Sequence, residues 1–294
     1  MRTAARIART VRSRAGFTLV EMMVALAVSS IIMVGMFATF NDVQRSWRSS
    51  RQEVSSVRNE RAGVQMMVRE LRMAGSGYGG RTIVAGGVPQ NRLYPIDPKP
   101  GLFGDPDTLT ITAGINGVST VTTAILASPS DAIPVVDASI FAVGDYVIIT
   151  NSIEADMFRV TGTGAGTTIF HTVSDPMNDP VDHDLWPASG YAKGSTVVRV
   201  RRVTYWVDAD AVPPRLVRRM DSGNPLPISA GVMGLRFQYV LADGSVSGAP
   251  ADPSLIRSVL LDYVPRAVNA PGSINATPTA GDTMSVRIQP RVLG

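Results

Sequence analysis

The chain has 294 residues, 45% of them hydrophobic, with 27 glycines and 20 prolines, enough for one large domain or two small ones. Its formal charge of +4 sits at the N-terminus: Arg2, Arg6, Arg9, Arg12 and Arg14 stand without an acid in residues 1–16, and removing these five from +4 leaves about −1 for the rest. The absence of a wider basic stripe with interleaved aromatics speaks against nucleic-acid binding, and the absence of cysteine excludes disulfides, thiolate metal sites and a cysteine nucleophile.

No proline precedes Pro89, so the first part of the chain can run as uninterrupted helix. Phe17 to Phe40 reads FTLVEMMVALAVSSIIMVGMFATF, with Glu21 as its one charge. As a helix it would be ~36 Å long and would span a hydrocarbon core of ~30 Å. The five preceding arginines keep that end cytoplasmic, so the remainder faces outward. A secretory signal peptide has a shorter apolar core followed by a small-residue cleavage site; here the small residue, Gly16, comes before the apolar run. A plain membrane anchor leaves the acidic residue near its end without a role.

Ala15-Gly16-Phe17-Thr18-Leu19-Val20-Glu21, behind a basic leader, resembles the processing signal of type IV prepilins and pseudopilins. The resemblance implies that a membrane prepilin peptidase cuts after Gly16 and methylates the new amino group of Phe17. It also implies that Glu21 pairs with the α-amino group of Phe17 on the same or an adjacent subunit. Glu21 is then a register device, because a carboxylate in lipid is costly and an incoming subunit gains most at the depth where the two charges meet.

Beyond the apolar run, Val43, Trp47, Val54, Val57, Val64, Val68 and Leu71 recur at spacings of three, four and seven among charged residues. This predicts one amphipathic stripe on a helix continuing to about residue 74, buried against a downstream domain. Gly75, Gly77, Gly79 and Gly80 supply a stop, while Gly35 and Gly63 weaken the helix locally. Arg69-Glu70-Leu71-Arg72-Met73-Ala74-Gly75 resembles the end of the N-terminal helix in PilW-like minor pilins and in the J-type pseudopilin of type II secretion.

Residues 107–113, 145–150, 156–161, 167–173, 195–207, 214–219, 232–241, 255–264 and 283–291 are β-branched, partly alternating and bounded by Gly, Pro, Asn and Asp clusters, which predicts strands. Several of them resemble PilW-like strands: Val143 to Ile149 with Ala155 to Val160, Val203 to Val207 with Leu216 to Arg219, and Gly231 to Tyr239 with Ile256 to Val259. The expected fold class is α+β: a long N-terminal helix, transmembrane in its first part, packed on a large, mostly antiparallel β domain, pilin-like. The expected divisions are a leader at 1–16, a helix at 17–75 with its span at 17–40, and an extracytoplasmic β-rich domain at 76–294.

Asp175, Asp179, Asp182, His183 and Asp184 crowd one loop, but Pro176 and Pro180 intervene and no EF-hand spacing exists, so a solvated turn is expected rather than a calcium site. His171 and His183, the two histidines, lack a nucleophile-elbow motif. Thr163-Gly164-Ala165-Gly166 reads as a turn between strands. Trp47, Trp186 and Trp206 read as packing residues. No catalytic, cofactor-binding or metal site is expected.

The resemblance implies a PilW-like minor pilin that initiates or caps a type IV pilus. The alternatives are a J-like type II secretion pseudopilin and a pilus-tip adhesin. The implied partners are the prepilin peptidase, other minor and major pilins or pseudopilins, and the inner-membrane assembly platform. The implied location is the inner membrane before assembly, then the periplasm and the cell-surface pilus.

Overall fold

The computed structural model describes residues 17–102, 105–114, 117–151, 153–265 and 283–292; residues 1–16, where the leader and Gly16 are expected, lie outside them. The chain divides into two compact units, Met1–Gln52 and Glu53–Gly294. A single α-helix, α1 (Leu19–Arg72), contributes to both.

In the first unit, every described side chain of α1 from Leu19 to Arg48 is exposed. This stretch is long and apolar enough to cross a membrane, at ~45 Å for 30 residues. The run of straight-chain and small residues without proline favours helix throughout. Val43 and Trp47 are 48% and 62% exposed, so the buried stripe expected to begin at Val43 does not include them. The side chains of Val54 and Val57 lie outside those described.

The second unit is built from strands β1 (Ile83–Val84), β2 (Arg92–Leu93), β3 (Ile96–Lys99), β4 (Thr108–Ala113), β5 (Ser119–Val121), β6 (Ile133–Pro134), β7 (Tyr146–Thr150), β8 (Ala155–Arg159), β9 (Gly162–Gly164), β10 (Thr168–Phe170), β11 (Thr196–Asp208), β12 (Arg215–Met220), β13 (Leu226–Ala230), β14 (Val232–Leu241), β15 (Val246–Ser247), β16 (Ile256–Pro265) and β17 (Met284–Ile288). The largest sheet runs β13-β12-β11-β7-β8-β1-β2, with β4 and β5 also on β11 and β3 on β4. Its spine is β11. The N-terminal half of that strand pairs with β7 and β5, and its C-terminal half with β12 and β4. A four-stranded sheet runs β15-β14-β16-β17, and a small one β6-β10-β9. Pairing is antiparallel except at Val84 against Asp156. The fold is α+β, as expected.

The C-terminal part of α1 is the centre of the main core. Val64, Met67, Leu71 and Ala74 are buried together with Leu109, Ile111, Val203, Tyr205 and Leu216 of the large sheet and Leu235, Phe237, Val259 and Leu261 of the four-stranded sheet. Helical spacing puts Glu60, Gly63, Val64, Met67 and Leu71 on one face, and all five are buried. Each fully buried apolar side chain contributes ~1.5–3 kcal/mol. Glu70, in the last turn of the helix, accepts from the Tyr205 hydroxyl and, at 2.7 Å, from Arg218 Nη2. The apolar contacts of Val64, Met67 and Leu71 bury the helix non-directionally; this paired carboxylate fixes its rotation against β11 and β12. The helix closes with Gly75 in the left-handed region, φ 77°, where any side chain would collide with Gly80. The carbonyl of Arg72 is capped by the amide of Arg291, 3.1 Å away, so the C-terminal segment returns to the helix end.

Gly63 plays a different part from the weakening expected of it. A Cβ there would sit 2.8 Å from Cβ of Ser229 on β13, so the missing side chain lets helix and strand approach. In an exposed helix Gly→Ala gains ~1 kcal/mol. Here Gly63→Ala is expected to lose stability, by ~1–2 kcal/mol, with Ser229→Gly in the same chain restoring it. Thermal melts of the detergent-solubilised variants check this, and a stabilised Gly63→Ala would contradict the close packing.

Glu60 is a buried carboxylate on the same face. Loss of solvent raises its pKa to about 7, a rise that the neighbouring Arg61 opposes. Because the folded value lies above the ordinary 4.5, the folded state prefers the proton. The contribution is fully present below about pH 4.5 and is lost as pH rises towards 7. Glu60→Gln is therefore expected to match the wild type at pH 5 and to exceed it at pH 8, by on the order of 1 kcal/mol once solvent screening is allowed for. Equal stability of the two proteins at both pH values would contradict the assignment.

Candidate functional site

The sequence-predicted residues gather at the start of α1. Phe17 is 84% exposed and stands two residues before the first helical position. Glu21 lies in the first turn, where four amide N–H groups have no partner within the helix. Its carboxylate turns back: Oε2 accepts from the Thr18 amide at 2.9 Å and from the Thr18 hydroxyl at 3.0 Å. In return the Glu21 amide donates to Thr18 Oγ1 at 3.3 Å. This is a reciprocal capping box, in which residues three apart satisfy each other's orphan donors. The carboxylate also faces the positive end of the helix dipole.

Thr18 is a functional candidate that the sequence reading did not single out. Its signal was present, since Thr-x-x-Glu ahead of an apolar run is the capping-box spacing. The box matters more in a bilayer than in water, because an unsatisfied amide in lipid costs several kcal/mol. Both bonds that the carboxylate accepts use Oε2, and among the described residues no other donor reaches it. Gly16 lies outside the described residues.

The acidic loop is exposed at Asp179 and Asp184 and half-buried at Asp175 and Asp182, and its carboxylates are engaged by the protein. Asp175 accepts from the Met177 amide and pairs with Arg159 at 2.9 Å, and Asp179 accepts from the Val181 amide. Asp182 holds Gly87 and Asn91, and Asp184 pairs with Arg92 at 2.8 Å. Asp175, Asp182 and Asp184 thus tie the loop to three other parts of the domain, while Asp179 caps a turn of the loop itself; the turn is solvated at Asp179 and Asp184, as expected, but braced by the protein elsewhere. Among the described residues no group of three or more His, Asp or Glu is placed to hold a metal.

His183 is buried with its Nδ1 2.6 Å from Asp156 Oδ1 and its Nε2 3.3 Å from the Met177 carbonyl oxygen. The Tyr191 hydroxyl donates to Asp156 Oδ2 at 2.6 Å. Both ring nitrogens are engaged and the cluster is sealed, so it braces the domain and leaves no free base for a nucleophile. Phe158 stacks between His171 and His183 at 4.1 and 4.4 Å. Burial lowers the pKa of His171, which favours its neutral form. Thr163 and Gly164 belong to β9, and Ala165 and Gly166 lie in the turn that follows it to β10. Trp186 packs on Tyr191 and Trp206 lies beneath Arg219, as packing residues should, whereas Trp47 is exposed.

A family model described as the prokaryotic N-terminal methylation motif matches residues 11–37. No curated protein and no solved structure matches the chain. The matched segment contains the Gly16–Phe17 junction, Thr18, Glu21 and most of the apolar run. It supports a place for this chain in the type IV pilin and pseudopilin superfamily, and with it membrane anchoring through α1, processing by a prepilin peptidase and association with other pilins.

Proposed function

We propose that this chain is a PilW-like minor pilin, cut after Gly16, N-methylated at Phe17, and assembled into the end of a type IV pilus as an initiator or cap. The observation that carries the reading is the Gly16–Phe17 signal with a Thr18–Glu21 box, at the head of a helix whose other end is the core of a large β domain. A domain of this size suits an end of a fibre better than a closely repeating shaft. The role is structural, with no cofactor or catalytic residue. In this reading residues 1–16 are the leader and residues 17–75 the helix. Residues 76–294 face the periplasm and, after assembly, the cell surface.

The chemistry follows from where Glu21 finds donors. Before assembly its carboxylate is occupied by Thr18 of its own chain, which keeps the helix start intact and the charge hydrogen-bonded. The inner-membrane assembly platform then brings the subunit against its neighbours. The methylated amino group of a Phe17 offers a full positive charge, a stronger partner than a neutral amide or hydroxyl. Exchange of Thr18 for that amine fixes depth and register together.

The test separates processing from assembly. Gly16→Val is expected to leave a full-length precursor in the inner membrane. Glu21→Ala and Glu21→Gln are expected to be cut and inserted as the wild type is, with mass spectrometry showing a methylated Phe17. Both should nevertheless accumulate in the membrane and reduce pilus number at least several-fold. Normal pilus number with normal incorporation of both Glu21 variants would overturn the register role. Loss of a secreted substrate with pili unchanged would overturn the pilus assignment in favour of the type II secretion pseudopilus.

A further inference from the structure

The outward end of the membrane segment carries a second group of exposed side chains. Arg45, Trp47, Arg48 and Arg51 follow the apolar run within two turns of α1, all exposed. The guanidinium of Arg51 lies 5.9 Å from the Trp47 ring centroid, a cation–π contact one turn apart. At about 100° per residue, Trp47, Arg51 and Arg48 share an arc of about 100°, with Arg45 about 60° further on. The four side chains therefore make one face. Among the described residues none of the three arginines is ion-paired.

The spacing along the helix is as informative as the face. From Glu21 to Arg45 is 24 residues and to Arg51 is 30, which gives ~36 to ~45 Å along the axis. A bilayer with its headgroup regions is ~40–45 Å thick. With the arginines at the outer phosphates, Glu21 and Phe17 reach the inner headgroup level. Guanidinium forks match phosphate oxygens, and tryptophan is the side chain that settles at the membrane–water boundary.

We propose that Arg45, Trp47, Arg48 and Arg51 form a collar for the phosphates of anionic lipids in the extracytoplasmic leaflet, and that this collar sets the height of the subunit before assembly. The proposal rests on the membrane-spanning, leader-cleaved reading above. Residues 17–44 contain no Lys, Arg or His, so once the arginine-rich leader is removed the collar is the cationic side-chain hold of the membrane segment, with the Phe17 amino group the one cation at its opposite end. Glu21 then waits at the hydrated inner headgroups. Outward extraction must both strip the collar from its phosphates and draw Glu21 into hydrocarbon, which keeps an idle subunit in place until a neighbour supplies the compensating amine.

The mature full-length chain, purified from cells containing the peptidase, is reconstituted into phosphatidylcholine vesicles with tracer spin-labelled phosphatidylglycerol or phosphatidylcholine. At low salt the anionic tracer is expected to associate at least fivefold more strongly, since each arginine near an anionic surface is worth about fivefold. The preference should fall in ~0.5 M NaCl, vanish in the triple variant R45Q/R48Q/R51Q, and survive in R45K/R48K/R51K. Equal association of both tracers with the wild type would overturn the collar, as would a preference unchanged in the triple Gln variant. Equal association of both tracers with the wild type, together with failed pilus incorporation of the triple Gln variant, would assign the arginines to a neighbour's carboxylates instead. The N-terminal mass of the preparation keeps the two readings apart. A chain still beginning at Met1 sinks the processing reading, while the difference between wild type and triple variant still judges the collar.

Discussion

The buried face of α1 between Glu60 and Ala74 is the constraint on which the second unit depends. Two sheets turn their apolar sides towards it, and neither could close a core alone. Leu109, Val203 and Tyr205 on one side and Phe237, Tyr239 and Val259 on the other meet through Val64, Met67 and Leu71. Removing this helix would expose both sheets at once, a patch far larger than a soluble protein tolerates. The ion pair of Glu70 with Arg218 is half enclosed, with side-chain exposures of 16% and 13%. Such a pair adds little net stability but specifies one rotation of the helix. Rotation matters because Gly63 is the position that allows contact with β13.

The other end of the helix obeys the opposite rule. From Leu19 to Arg48 no side chain is covered by protein, and the apolar surface is matched to lipid. Wherever the first turn is drawn into that medium its orphan amides need partners from the chain itself, and Thr18 with Glu21 supplies them. One element thus serves two solvents. Its apolar residues are unselective around the axis in the first part and confined to one face in the second, as a lipid environment and a one-sided core respectively require.

The long elements were legible because they are periodic. The helix, and strands such as β11, β14 and β16, lie within a residue or two of the spans predicted from pattern. The missed strands are β1, β2, β3, β5, β6, β9, β13 and β15. They have two to five residues each, and β3 (IDPK), β6 (IP), β9 (GTG) and β13 (LPISA) contain the proline or glycine that intrinsic propensity assigns to turns. They are strands because a neighbouring strand pairs with them. The stripe was extended too far towards the membrane because Val43 and Trp47 keep its spacing, and spacing alone does not distinguish a core from a lipid boundary. The partners of Glu70 lie 135 and 148 residues away, beyond the reach of any local pattern. At the site, Gly16, Phe17 and Glu21 were read from a motif; Thr18 was hidden inside that motif, although its spacing to Glu21 is a capping signature in its own right.

The central claim is that the end of the anchoring helix is an integral part of the β domain's core rather than a tether leading to it. Native-state hydrogen exchange on the mature chain in detergent micelles tests this most directly. If the claim holds, the amides of Val64 to Leu71 exchange only by global unfolding, with the same opening free energy as those of β11 and β14. If those helix amides exchange markedly faster while the amides of β11 and β14 stay protected, the domain folds without the helix, and the account of the core is wrong.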